Sequence, residues 1–125
     1  MKKILIVDDD ADLREVMKTV LQDAYEIREA PGKEAGLALL KTYTPNLVLL
    51  DVMMETNSAG FEMARAIREN PKTRNIKILM LTNIDKELNL NFKASAKDPD
   101  WLPVDDFLEK PINPKQLRAK IGKLI

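Results

Sequence analysis

Three consecutive carboxylates, Asp8-Asp9-Asp10, follow the apolar run Ile4-Leu5-Ile6-Val7, and Asp51 follows Leu47-Val48-Leu49-Leu50. Thr82-Asn83 closes a third apolar run and Glu109-Lys110 a fourth. Any chemistry has to come from these residue types, because the chain contains no His and no Cys. That removes imidazole bases, thiolates, disulfides and zinc–thiolate centres. Carboxylates gathered at one place repel one another and hold their protons more tightly. A hard divalent cation relieves the conflict. Mg²⁺ prefers oxygen ligands in octahedral geometry and keeps several waters, so two or three Asp and one backbone carbonyl suffice. A Lys then supplies a fixed positive charge and a Thr a hydroxyl donor. A carboxylate flanked by such groups suits in-line attack on phosphorus, since they neutralise the phosphoryl oxygens.

The elements that must bring these residues together alternate along the chain. The short β-branched run at 4–7 reads as a strand buried on both faces. Over 11–23, Leu13, Val16, Met17, Val20 and Leu21 recur at helical spacing. Residues 25–30 form a more polar strand, suited to a sheet edge. Pro31-Gly32 leads into a helix carrying Ala35, Leu39, Leu40 and Tyr43, and the run at 47–50, the most apolar, belongs at the sheet centre. A helix over about 61–70 turns Phe61, Ala64 and Ile67 inward until Pro71 ends it. Strands follow at 76–81 and 104–108. Between them Ile84, Leu88, Phe92 and Ala96 lie four apart, as a helix requires. Asn113-Pro114 opens the last helix with a capping side chain and Pro at its first position, and Leu117, Ile121 and Leu124 make its apolar stripe. Five alternations of strand and helix predict an α/β fold, a doubly wound parallel sheet with helices on both faces. Ligands of such sheets bind outside the carboxyl ends of the strands, where Asp8, Asp9, Asp51, Thr82 and Lys110 all fall.

Bulk properties narrow the function classes. A chain of 125 residues fits one domain, 1–125, with no room left for an output domain. Lys plus Arg and Asp plus Glu number 20 each, so no global field favours nucleic acid or an anionic membrane. The apolar run at the N-terminus is too short for a signal peptide and no later run is long enough for a membrane span, so a cytoplasmic protein is expected.

Ile6-Val7-Asp8-Asp9-Asp10, Leu49-Leu50-Asp51-Val52-Met53-Met54, Ile78-Leu79-Met80-Leu81-Thr82 and Phe107-Leu108-Glu109-Lys110-Pro111 occur in this order. With them the chain resembles, over nearly its whole length, a bacterial two-component response-regulator receiver of the stand-alone chemotaxis type. The resemblance implies a flavodoxin-like five-stranded sheet of order 2-1-3-4-5 with five helices. It implies a phosphorylation-dependent signalling switch rather than an enzyme, fed by a sensor His kinase or phosphotransfer protein and read by a downstream protein partner. No direct contact with nucleic acid or membrane is implied, and the state would be a monomer or a weak homodimer formed on phosphorylation. Carried across, Asp51 accepts the phosphoryl group, Asp9 ligates Mg²⁺ directly, Asp8 does so through water, and the Met53 carbonyl and Asp51 complete the set. Thr82 swings toward the phosphoryl group, Phe107 repacks behind it, Lys110 senses its charge, and the peptide preceding Pro111 is cis.

Other readings compete. Asp10 serves as a helix cap, Thr82 also fits as a plain strand terminus, and Phe107 fits equally as core. Asp8, Asp10 and Asp12 alternate as in a calcium loop, but Leu13 replaces its Gly and Thr19 its closing Glu. Asp8-x-Asp10 also matches the haloacid-dehalogenase-type phosphatases, which need Thr or Val at Asp12 and would leave Asp51 without a role. A pseudo-receiver, a constitutive protein-binding module, would keep the fold without the switch. The chain departs from the family at Glu55, where Pro is usual, at Asn83, where Ala or Gly is usual, and over 83–103. That stretch is longer than usual and carries Asp98-Pro99-Asp100-Trp101-Leu102-Pro103.

The resemblance to receivers further implies that the residues two after the acceptor and two after the switch Thr flank the path of a hydrolytic water. Here they are Met53 and Ile84, neither able to orient a water by hydrogen bonding, and Asn83 crowds the same opening. Losing one positioning group costs on the order of tenfold to a thousandfold in rate. The phospho-form is therefore expected to be long-lived, and Met53→Asn/Ile84→Glu to shorten its life. Adduct decay followed at one Mg²⁺ concentration checks this, and equal lifetimes would refute it.

Overall fold

The computed structural model describes residues 1–52, 59–82 and 104–125. Along them run β1 (Lys2–Val7), α1 (Ala11–Leu21), β2 (Tyr25–Ala30), α2 (Lys33–Leu40), β3 (Leu47–Asp51), α3 (Ala59–Glu69), β4 (Lys77–Thr82), β5 (Asp106–Glu109) and α4 (Pro114–Leu124). The strands form one sheet of order β2-β1-β3-β4-β5, and every neighbouring pair is parallel. The polar strand is at an edge and the most apolar strand is central, with every residue of β3 buried. The helix expected over 84–96 lies outside the described residues.

Because side chains alternate across a strand, the sheet makes two cores. Leu5, Val7, Val48, Leu50, Ile78 and Met80 face α3, where Met63, Ala64 and Ile67 are buried among them. Ile4, Ile6, Leu47, Leu49, Leu79 and Leu81 face α1 and α4, and meet Met17, Leu21, Leu117 and Ile121. Side chains cap the helices of this second layer. Asp10 accepts from the Asp12 and Leu13 amides at the start of α1, and Asn113 accepts from Lys115 and Gln116 ahead of α4.

Four expectations need correction. Val16 is 53% exposed, because α1 turns Met17 and Leu21 to the sheet and the position before Met17 is rotated about 100° away. Helix α2 buries Gly36 and Leu40, not Ala35. A Cβ on Gly36 would come within 2.7 Å of the Met63 Cε and 3.3 Å of Val7, so the smallest residue sits where the helix is closest to its neighbours. Tyr43 lies beyond α2, buried with its ring under the Arg28 and Lys3 cations, and its phenol, donating to Glu26, is pushed up to about 12 by burial first and then by that bond. Helix α3 begins at Ala59 and its inner face is Met63, Ala64 and Ile67, with Phe61 only half-buried.

Asn46 sets the register of the central strands. Its amide donates to the Lys3 carbonyl, its side-chain oxygen accepts from the Lys3 amide, and its carbonyl accepts from Lys77. A one-residue slip would exchange the two faces of the sheet. At the other end Gly60 packs against the backbone just after β3. A Cβ there would lie 2.2 Å from the Asp51 carbonyl oxygen and 2.7 Å from the Val52 Cα. Gly60→Ala therefore has to move α3 off the strand, and we expect a loss of ~1–3 kcal/mol in urea unfolding. Gly122→Ala serves as the control, because a Cβ on Gly122 meets nothing within 4 Å. In the helix it should be neutral or stabilise by up to ~1 kcal/mol.

Candidate functional site

The register builds the site. Val7 pairs with Leu50, Leu50 with Met80 and Met80 with Phe107. Asp8 and Asp51, the next residues on adjacent strands, therefore emerge side by side at the carboxyl edge. Hydrogen bonds hold the chain as it leaves the sheet. Asp8 N–H donates to Ala30, Val52 N–H to Leu81 and Lys110 N–H to the Thr82 carbonyl.

Carboxylate oxygens of Asp8, Asp9 and Asp51 lie within 4.8 Å of one another. Asp8 is fully buried and Asp51 is 2% exposed, while Asp9 is open to solvent. Lys110 Nζ donates to Asp51 Oδ1 at 3.0 Å and stands 4.0 Å from Asp8 Oδ2. Asp8 Oδ1 accepts from the Asp10 amide at 2.9 Å, whereas its Oδ2 is buried with no hydrogen-bond donor among the described residues. Burial pushes the Asp8 carboxyl above the usual carboxylate range. The Asp10 amide and Lys110 oppose the shift, and the charges of Asp9 and Asp10 add to it. An orphaned carboxylate oxygen beside two further carboxylates is the donor set a hard divalent cation fits.

Thr82 is fully buried, and its Oγ1 has no hydrogen-bond partner among the described residues. It lies two residues beyond Met80 on β4, so its side chain shares the face where Met80 and the half-buried Phe107 pack. The Lys110–Pro111 peptide is cis. The structure thus brings Asp8, Asp9, Asp51 and Lys110 together, with Thr82 at the same edge. Met53, Asn83 and Ile84, and with them Trp101, lie outside the described residues.

Two contributors were not singled out in the sequence. Gly60 permits the close approach behind Asp51, and no neighbouring residue type signals it. Arg14 reaches back from α1 to the Asp8 carbonyl, its Nη1 donating at 2.6 Å. Its only sequence signal was a long cation one turn after the Asp10 cap.

Known proteins share this architecture. The response regulator receiver domain model matches residues 4–122. The phosphate regulon transcriptional regulatory protein PhoB of Pseudomonas aeruginosa is 36% identical over 125 residues, 99% of this chain and 52% of that protein. The transcriptional regulatory protein CpxR homolog of Haemophilus influenzae is 37% identical over 131 residues, 100% of this chain and 51% of that protein. The chain thus spans about half the length of these regulators. Among solved structures, the chemotaxis response regulator CheY4 of Vibrio cholerae has a TM-score of 0.85 at 28% identity, covering 100% of this chain and 99% of its own. The response regulator TrrA of Thermotoga maritima, solved in complex with Mg²⁺ and BeF, has a TM-score of 0.80 at 32% identity, with 100% of both chains covered. Strand order, the acidic edge and the match along 4–122 agree, and this chain belongs to the response regulator receiver domains of two-component signalling.

Proposed function

We propose that Asp51 takes a phosphoryl group from a phosphohistidine on a sensor kinase or phosphotransfer protein, and that the adduct resets the surface around β5 for a downstream protein. The observation that carries this reading is the Lys110–Asp51 contact of 3.0 Å beside a buried Asp8 whose Oδ2 has no hydrogen-bond donor among the described residues. An Asp51 oxygen forms the bond to phosphorus as the P–N bond of the donor breaks, and the imidazole leaves with the electron pair and takes a proton. Lys110 turns from the Asp51 carboxylate to a phosphoryl oxygen, and the Thr82 hydroxyl donates to another. Buried, it then gains a partner that it has not got among the described residues, which draws β4 toward the site and lets Phe107 repack behind it. Asp8, Asp9, Asp51 and the Met53 carbonyl would hold Mg²⁺, a role favoured by the acidic donor set and by the Mg²⁺ in the TrrA complex. Bound there, Mg²⁺ supplies charge neutralisation for the phosphoryl oxygens. The protein acts as a signalling regulator whose only chemistry is its own phosphorylation and dephosphorylation. With Lys plus Arg and Asp plus Glu balanced at 20 each, its partners on this reading are proteins, and its state a monomer or a weak homodimer formed on phosphorylation. No helix among the described residues is long and apolar enough to cross a membrane.

Incubation with Mg²⁺ and acetyl phosphate should add one phosphoryl mass, removable by hydroxylamine as an acyl phosphate is. Asp51→Asn, nearly isosteric, should abolish the gain and keep the fold. A wild type that never gains mass would favour a constitutive binding module instead.

Asp8 generates a second expectation. A carboxyl whose folded pKa is raised binds its proton more tightly in the fold, so its contribution to stability falls as pH rises through the folded titration. Without metal, Asp8→Asn should melt higher than wild type at neutral pH, and the gap should shrink as the pH drops toward the unfolded pKa of about 3.9. Mg²⁺ should raise only the wild-type melting temperature, by stabilisation of ~2.7 kcal/mol at a hundred times Kd. Thermal melts across pH, with and without Mg²⁺, check both signs.

A further inference from the structure

Arg14 belongs to no step described so far, yet it touches the backbone of the acidic edge. Its amide continues α1 by donating to the Asp10 carbonyl at 3.0 Å. Its guanidinium folds back past the helix start, with Nη1 donating to the Asp8 carbonyl at 2.6 Å and Nε to Glu29 Oε1 at 3.3 Å. Glu29 stands on β2 beside Ile6 of β1, and its second oxygen lies 3.6 Å from Lys18 Nζ. A continuous path therefore runs from β2 through Glu29 and Arg14 to the peptide joining Asp8 to Asp9.

We infer that Arg14 is a positioning residue for the divalent-cation site and that Glu29 acts through it, an inference resting on the proposed reading of Asp8 and Asp9 as ligands. The Asp8 amide is tied to Ala30 and its Oδ1 to the Asp10 amide. The remaining freedom at this corner is rotation of the Asp8–Asp9 peptide, which swings the Asp9 carboxylate relative to Asp8 Oδ2. Arg14 grips the oxygen of that peptide with a charge-assisted bond, stronger than a neutral one. The planar fork of Arg serves two acceptors in fixed directions, which an ammonium on a flexible stem does not. Its half-buried side chain, 17% exposed, is held by Glu29 rather than waving in solvent.

A cation this close to an acidic site also acts through space, and the two effects have opposite signs. Through-space repulsion of Mg²⁺ by Arg14 makes its removal tighten metal binding. Positioning makes its removal weaken it, and partners behind the ligands of metal sites typically matter by 10–100-fold. The experiment titrates MgCl₂ into wild type, Arg14→Gln, Arg14→Lys, Glu29→Gln and the Arg14→Gln/Glu29→Gln double variant, reading amide NMR shifts at the acidic edge. Thermal unfolding without metal is measured alongside.

We expect Arg14→Gln to weaken Mg²⁺ by about tenfold and Arg14→Lys, which keeps the charge, to weaken it as well. The double variant should match Arg14→Gln, because Glu29 has nothing left to act through; simple charge effects would instead cancel and return it toward wild type. Phosphorylation by acetyl phosphate in Arg14→Gln should recover at saturating Mg²⁺. Arg14→Gln binding as tightly as wild type or tighter overturns the inference, as does a double variant restored to wild-type affinity. Should Arg14→Gln not fold, Arg14→Lys decides, and unchanged affinity there overturns it. A wild type that binds no Mg²⁺ overturns the cation-site reading and this inference together, whereas a Mg²⁺-binding wild type with indifferent Arg14 variants overturns this inference alone.

Discussion

Two carboxylates, Asp8 and Asp51, are buried side by side at the edge of an apolar sheet, with a third, Asp9, within reach of both. Left in water these groups would ionise freely. Here burial opposes the charge of Asp8, the charges of Asp9 and Asp10 add to that, and Lys110 donates to Asp51 at 3.0 Å. The arrangement destabilises the metal-free fold locally and creates an affinity for whatever neutralises it. A hard divalent cation is the kind of group whose charge answers that deficit. The buried Thr82 hydroxyl, without a hydrogen-bond partner among the described residues, adds a smaller cost of its own.

Such a site has to be held against its own electrostatics, and the rest of the molecule is arranged to do so. Asp8 directly follows β1 and Asp51 ends β3, both strands locked between neighbours, so backbone ladders carry the constraint. The two cores above and below the sheet clamp β1 and β3 on both faces. Asn46 fixes the register at the far end of those strands, and Gly60 lets α3 close over the chain just beyond Asp51. Errors at either place would be felt at the acidic edge, because one residue of slip along a strand moves a side chain to the opposite face.

The layered helices contribute unequally. Helix α1 packs Met17 and Leu21 beneath β1 while its first turn does electrostatic work, through the Asp10 cap and the Arg14 contact to Asp8. Helix α3 supplies Met63, Ala64 and Ile67 to the opposite core and contributes close backbone approach. On this side Arg68 bonds to Asp105 and to the carbonyl of Arg74, and Asp105 also accepts from the Ile78 amide. The start of β5 is thereby tied to β4 and α3, at the opposite end of the sheet from Lys110.

Much of this was legible in the chain alone, for a physical reason. Strands buried on both faces must be apolar throughout, so β1, β3 and β4 stand out as runs, and the polar residues ending them mark one edge of a parallel sheet. Caps at Asp10 and Asn113 were equally readable, since only a few side chains bond to free amides at a helix start. Periodicity was less decisive for which apolar residues face inward. Val16 and Ala35 fit their patterns, but a helix presents a stripe about 100° wide and the docking angle chooses which side of it meets the sheet. That angle depends on contacts far apart in sequence, such as Gly36 against Met63. The same holds for Gly60, for Arg14 and for Asp8 Oδ2, which has no hydrogen-bond donor among the described residues. Their roles exist only as distances between separate elements, and only the tertiary structure decides those.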